Sequence, residues 1–274
     1  MTGRVLTVAD SDSCGAGGIQ ADIKTIMALG GYATTAISVV TAQDTKGIAR
    51  QQILEPAFVA QQMRTVLADI GADAIKTGML IDNGIINAVG DVLDECQDKG
   101  IPVVIDPAIV SRQGEQMLSE QALATLKRRL FVRATVLTPN LREAELLTGM
   151  SIRDMDKMRH AADMLRTLGA EAVLLKAGQT FSNKVVYLVA AENEECLFER
   201  PMLETRHTLG AGATLASAVA VNLAQKMDIF AAVESALEFM HEAIIHAPGF
   251  GGDAGPMNHA FALAKKVTAK RTSS

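Results

Sequence analysis

The chain has 274 residues, with 31 acidic against 26 basic side chains and a formal net charge of −5, a balance that offers no basic field to a nucleic-acid backbone. Hydrophobic residues make up 49% and charged residues 21%, the balance of a globular chain and not of a disordered or fibrous one, and the length suits a single domain. Three cysteines, Cys14, Cys96 and Cys196, are odd in number and widely spaced, so neither a disulfide framework nor a CxxC metal site is expected.

The elements follow in chain order. The run RVLTVA from Arg4 reads as a strand, followed by a helix from about Ile19 to Leu29, the strand ATTAISVVT and a helix around Phe58 to Ile70. Next come AIKTG, a helix near Ile85 to Gln97, PVVID and ATVLTPN, then helices at about Arg142 to Leu147 and Met155 to Leu168. AVLLK precedes an expected hairpin of KVVYLVA and CLFER, and two helices begin at about Ala213 and Ile229. This βαβ rhythm predicts a mostly parallel sheet with helices on both faces and an antiparallel edge, in one domain over 1–264. The basic stretch of Lys265, Lys266, Lys270 and Arg271 reads as a flexible tail over 265–274. No apolar run approaches the roughly 18 residues of a membrane span. VLTVA follows Arg4 directly, so no signal peptide is expected and a cytoplasmic location is.

In open parallel sheets, ligands bind beyond the carboxyl ends of the strands, so residues that end strands and open helices are the candidates. Cys14 to Gly18 reads CGAGG between a strand and a helix, either a close backbone approach to a ligand or a structural turn. Gly210, Ala211, Gly212, Ala213 and Thr214 open directly into LASAVAVNLA; free N–H groups there make a phosphate or oxyanion cradle, unless the glycines serve helix packing alone. No GK pair occurs, which excludes a Walker A loop. Asp106 after PVVI, and Asn140 with Glu143 in TPNLREAE, suit Mg²⁺ held through waters and phosphates, or else cap helices. Lys76 and Lys176 end strands, where an ammonium meets phosphate or simply snorkels. Gln43 and Asp44 suit the edge of a heteroaromatic ring, or an ordinary loop. His241 and His246 stand five residues apart, where HExxH needs four. No GxSxG elbow is present for serine hydrolase chemistry.

Taken together, ADSDSCGAGGIQADIKT, ALGGYATTAISVVTAQDT, KTGML, the IDP at Ile105 to Pro107, TPNLREAELL, LLKAG, GAGAT and GPMNHA resemble the hydroxymethylpyrimidine and phosphomethylpyrimidine kinases, within the ribokinase-like superfamily. The resemblance covers nearly the whole chain. It implies a three-layer α/β/α fold and a homodimer. It also implies Mg²⁺-dependent transfer of the γ-phosphoryl of ATP to 4-amino-5-hydroxymethyl-2-methylpyrimidine and to its monophosphate. Carried over by motif, Gln43, Asp22, Gly18 and Met79 resemble the pyrimidine site. Asn140, Lys176 and Thr208 resemble ATP and phosphate contacts, and Asp106 and Glu143 the metal set. Gly210, Ala211, Gly212 and Ala213 resemble the anion-hole loop.

Two departures stand out. The family's first loop usually reads DPSGGAG, whereas Asp12 to Gly18 reads DSCGAGG. Its anion-hole loop usually reads GTGC, and the wider superfamily often has an Asp base at the last position; here that position is Ala213. Leu209 and Ala211 stand where the family usually has His and Thr. A methyl group takes no proton, which keeps open two other expectations: a pyrimidine-binding homologue without chemistry, and a kinase of pyridoxal or pyridoxine. Cys14 and Asp22 are the candidates to replace the base.

Overall fold

The computed structural model describes residues 2–111, 114–178 and 184–261; the basic tail over 265–274 lies outside the described residues. The chain begins with β1 (Arg4–Asp12), α1 (Gly18–Ala28), β2 (Tyr32–Gln43), β3 (Ile48–Ile53), α2 (Pro56–Asp69), β4 (Ala74–Thr77), α3 (Asn83–Glu95) and β5 (Val103–Ile105). It continues with α4 (Glu120–Arg129), β6 (Val136–Leu137), α5 (Leu141–Thr148), α6 (Met155–Thr167), β7 (Ala172–Gly178), β8 (Lys184–Ala190), β9 (Glu195–Pro201), α7 (Ala211–Ala224) and α8 (Ile229–Ile245).

The strands form one nine-stranded sheet in the order β3-β2-β1-β4-β5-β6-β7-β8-β9. From β2 to β7 the pairs are parallel; β3 is antiparallel at one end, and β8 and β9 at the other. The expected hairpin is the β8–β9 pair. The second antiparallel edge, β3, was not expected, and its sequence explains why. IARQQI is exposed at all six residues, so no buried face imposes a period of two. The helix α4 was not expected either: EQALATLKRR carries four charged residues in ten. The side chain of Ser119 caps it by accepting from the Ala122 N–H at 3.2 Å.

Two apolar layers sandwich the sheet. Val59, Met63, Ile85, Val89, Leu126, Leu147 and Leu165 from α2 to α6 pack with Leu6 and Val8 on one face. Ile26, Leu215, Val219, Leu237 and Met240 from α1, α7 and α8 pack with Val5 on the other. Alternate residues of β1 thus feed opposite layers, as a central parallel strand requires, and each buried Leu, Ile or Val contributes roughly 1.5–3 kcal/mol. The helix α7 is buried at every residue from Thr214 to Ala224. Its small Ala and Ser side chains let it lie against β1, β4 and β5, which delivers its N-terminus to the carboxyl ends of those strands. Among the described residues, no helix is long and apolar enough to cross a membrane.

Candidate active site

Chain order reverses direction between β1 and β4, since β2 lies on one side of β1 and β4 on the other. Such a switch point opens a crevice at the carboxyl ends of the strands. Two cavities occupy that edge and meet at the start of α7. The first, of about 240 Å³, is lined by Asp10, Gly18, Gln43, Lys76, Met79, Asp106 and Ala213, with Ile48 of β3 at its rim. The second, of about 450 Å³, has a polar end at Asn140, Lys176, Thr208, Ala211 and Gly212 and an apolar end that includes Val185, Tyr187, Met240 and Ile244.

Glycine is required where the two Gly-rich loops touch. Gly210 has φ +87°, and a Cβ there would run into the Ala16 carbonyl. The turn it makes starts α7 with the Ala211 N–H bonded to the Thr208 carbonyl at 3.1 Å and the Thr214 N–H to the Gly210 carbonyl at 2.9 Å. The N–H groups of Gly212 and Ala213 have no acceptor among the described residues, and they lie at the positive end of the helix dipole. A Cβ on Gly212 would stand 3.6 Å from Asp106 Oδ2 and 3.6 Å from Lys176 Nζ. Acid, base and free N–H groups therefore converge on the boundary between the two cavities.

Each charged side chain has a structural reason to be there. Lys176 Nζ is 3.2 Å from Asp106 Oδ1, which also accepts from Thr138 Oγ1 at 3.2 Å. Asn140 and Glu143 form a reciprocal capping box at the start of α5: Asn140 Oδ1 accepts from the Glu143 N–H at 2.9 Å, and Glu143 Oε2 accepts from the Asn140 N–H at 2.9 Å. Glu143 Oε1 takes the Ile109 N–H at 3.1 Å, so this carboxylate ties the loop after β5 to the loop after β6. Burial pushes the Glu143 carboxyl above its ordinary range; Lys176 opposes the shift and Asp106 adds to it.

Of the residues singled out in the sequence, Gln43, Gly18, Met79, Asp106 and Ala213 line the first cavity. Asn140, Lys176, Thr208, Ala211 and Gly212 line the second. Asp22 lines neither. It is fully buried behind Lys76, whose Nζ donates to its two oxygens at 2.9 and 3.0 Å. Ser217 Oγ donates to the same carboxylate at 2.7 Å, and Thr7 Oγ1 bonds it as well. Asp22 reaches a ligand only through Lys76. Cys14 faces a separate cavity with Lys24 and His259, and burial, assisted by Asp12, pushes its thiol up, which disfavours a thiolate base. Asp10 was not singled out, although it lies at the same strand edge. Its signal was the acidic run after VLTVA, which the structure shows to be the last part of β1.

The family model described as phosphomethylpyrimidine kinase matches residues 12–258. The hydroxymethylpyrimidine/phosphomethylpyrimidine kinase of Streptomyces coelicolor is 40% identical over 259 residues, 94% of this chain and 95% of that protein. The thiamine biosynthesis bifunctional protein ThiED of Geobacter sulfurreducens is 41% identical over 95% of this chain, which spans 53% of that longer protein. Among solved structures, an ADP complex of Bacillus subtilis pyridoxal kinase has a TM-score of 0.87 at 33% identity, covering 97% of this chain and 100% of that one. Phosphomethylpyrimidine kinase from Clostridium difficile has a TM-score of 0.77 at 32% identity, covering 88% and 99%. By the extent of the family match and by identity over nearly its whole length, the chain belongs to the phosphomethylpyrimidine kinase family, whose members are small-molecule kinases with the ribokinase-like fold.

Proposed function

We propose that the protein transfers the γ-phosphoryl group of ATP to the hydroxymethyl of 4-amino-5-hydroxymethyl-2-methylpyrimidine, and then to the phosphate of the monophosphate, in thiamine synthesis. One observation carries the reading: two cavities of different character meet at one helix start, with the Asp106–Lys176 ion pair standing over Gly212. The first holds a heteroaromatic alcohol between Gln43 and Met79. The second accepts a nucleotide, with apolar walls for a base and Asn140, Lys176 and Thr208 for phosphates. The reading extends to a cytoplasmic homodimer, on family grounds alone.

The chain's own groups supply most of what phosphoryl transfer asks for. Its transition state is loose, so positioning and charge stabilisation dominate. The Gly212 and Ala213 N–H groups and the Lys176 ammonium are fixed where charge develops, and backbone donors survive any side-chain substitution. Ala213 supplies no general base, a contribution typically worth about 10²–10⁴-fold. The protein is therefore a kinase slower than one with a base.

Magnesium fits the donor set as a shared ion. Among the described residues no cluster of three His, Cys, Asp or Glu side chains is placed to hold a metal, and both Glu143 oxygens are occupied by backbone N–H groups. Asp106, through waters and together with nucleotide phosphates, would hold the ion, while Glu143 adds negative charge behind it. When bound, the ion neutralises phosphate charge.

The likeness to pyridoxal kinase structures at TM-scores of 0.85–0.87 favours a second reading, a kinase of pyridoxal. Steady-state kinetics with both alcohols under Mg-ATP decide. A kcat/KM for the pyrimidine at least ten-fold above that for pyridoxal supports the first reading, and the reverse order replaces it.

A further inference from the structure

Asp10 differs from the other carboxylates at this strand edge in having no donor except its own backbone N–H. Asp12 accepts the N–H groups of Cys14, Ala16 and Gly17 at 2.8, 3.0 and 2.7 Å. Asp22 takes Lys76, Ser217 and Thr7; Asp106 takes Lys176 and Thr138; Glu143 takes two backbone N–H groups. Asp10 is 8% exposed and lines the first cavity. Apart from its own backbone N–H, no group among the described residues hydrogen-bonds its carboxylate. A largely buried carboxylate with a single donor is costly, so something has to hold it in place and something has to use it.

The fold holds it. Between Ala9 and Ser11 the β1–β2 ladder shifts register, Ala9 pairing with Ile37 and Ser11 with Val40, so Asp10 stands at an irregularity of the kind that re-aims side chains beside binding sites. A Cβ on Gly18 would lie 2.9 Å from Asp10 Oδ2 and 3.0 Å from its Cγ. The glycine that opens α1 is what leaves room for this carboxyl. Lys76 attracts Asp10, while Asp22 and Asp12 repel it. The Lys76 ammonium is already spent on Asp22 at 2.9 and 3.0 Å.

From this geometry we propose that Asp10 determines substrate specificity by accepting hydrogen bonds from a donor-bearing group next to the hydroxymethyl of a heteroaromatic alcohol. The inference rests on the reading of the first cavity as the alcohol site. In the aminopyrimidine, the exocyclic amine occupies the ring carbon adjacent to the one bearing the hydroxymethyl. Its two N–H groups are donors that suit a carboxylate acceptor. In pyridoxal the equivalent carbon bears an aldehyde, whose oxygen would face the carboxylate acceptor to acceptor. In pyridoxamine it bears an aminomethyl ammonium, a donor again. Asp10 thus selects by chemistry at one ring position and leaves the reacting hydroxyl toward the start of α7.

Calorimetric titration of the full chain without nucleotide tests this, using the aminopyrimidine alcohol, pyridoxamine and pyridoxal against wild type, Asp10→Asn and Asp10→Gly. We expect the wild type to bind the two donor-bearing rings at least ten-fold tighter than pyridoxal. Asp10→Gly should lose that preference and hold pyridoxal as well as or better than the wild type, with Asp10→Asn between them and its circular dichroism unchanged. Equal affinity changes for all three rings, or none, overturn the inference, as does a wild type that binds no ring. Absence of phosphorylated product while the ranking persists sinks the kinase reading and leaves Asp10 its role.

Discussion

Replacing Asp10 by Asn should stabilise the protein, and only at neutral and alkaline pH. Burial, with Lys76 opposing it and Asp22 assisting, pushes the Asp10 carboxyl up to about 6 from an ordinary 3.8. A shift of about two units corresponds to on the order of 3 kcal/mol. The folded-state value lies above the unfolded one, so the folded protein binds this proton more tightly. Stability linked to Asp10 is therefore complete below about pH 4 and lost as pH rises through 6. Asp10→Asn removes the titration while keeping the shape. Urea denaturation of both proteins at intervals from pH 4.5 to 8 should show the variant more stable by up to about 3 kcal/mol at pH 8, with the gap closing toward pH 4.5. A gap independent of pH, or a variant less stable at pH 8, would refute the claim that this carboxylate is buried at a cost. The same variant should bind the aminopyrimidine more weakly, a stability–function trade at one residue.

Lys76→Met leaves Asp22 buried with only Ser217 and Thr7 as partners and should cost roughly 3–5 kcal/mol, measured by urea midpoints, with Asp22→Asn restoring part of it; an undiminished single variant would contradict the buried pair. Gly210→Ala combines a positive φ with a collision at the Ala16 carbonyl. It should lower both melting temperature and turnover; unchanged melting would show that the two loops do not touch as described. Lys176→Ala should reduce kcat by about 10²–10³-fold while leaving calorimetric affinity for the pyrimidine alcohol within about two-fold, since Lys176 lines the second cavity. Weakened pyrimidine affinity with intact kcat would place it on the wrong side of the boundary.

The layered sheet was legible because strands such as PVVID and AVLLK are apolar on both faces and end in polar residues, so Asp106 and Lys176 could be placed at the ligand edge from sequence. What escaped had no hydrophobic signature. The strand β3 is exposed at each of its six residues, yet its Ile48 reaches the first cavity. The end of β1, Asp10 to Asp12, is held in the sheet by the length of β2, with Ser11 and Asp12 paired to Val40 and Thr41; an acidic run offers no period to read. Asp22 carries the motif but not the contact, because α1 turns it onto Lys76 beneath the sheet edge. Only the arrangement of donors in three dimensions separates Asp10, which takes no donor but its own backbone N–H, from the acids beside it.

On the proposed mechanism, backbone donors, Lys176 and Asp106 suffice for phosphoryl transfer although Ala213 offers no base. The direct measurement is mass spectrometry of the products formed from Mg-ATP and the aminopyrimidine alcohol by wild type, Ala213→Cys and Asp106→Asn. The wild type should form mono- and diphosphate, Ala213→Cys should form them faster, and Asp106→Asn should lose at least about 10²-fold in rate. Product from Ala213→Cys alone, with none from the wild type, would contradict that mechanism and leave the natural protein a binder of pyrimidines.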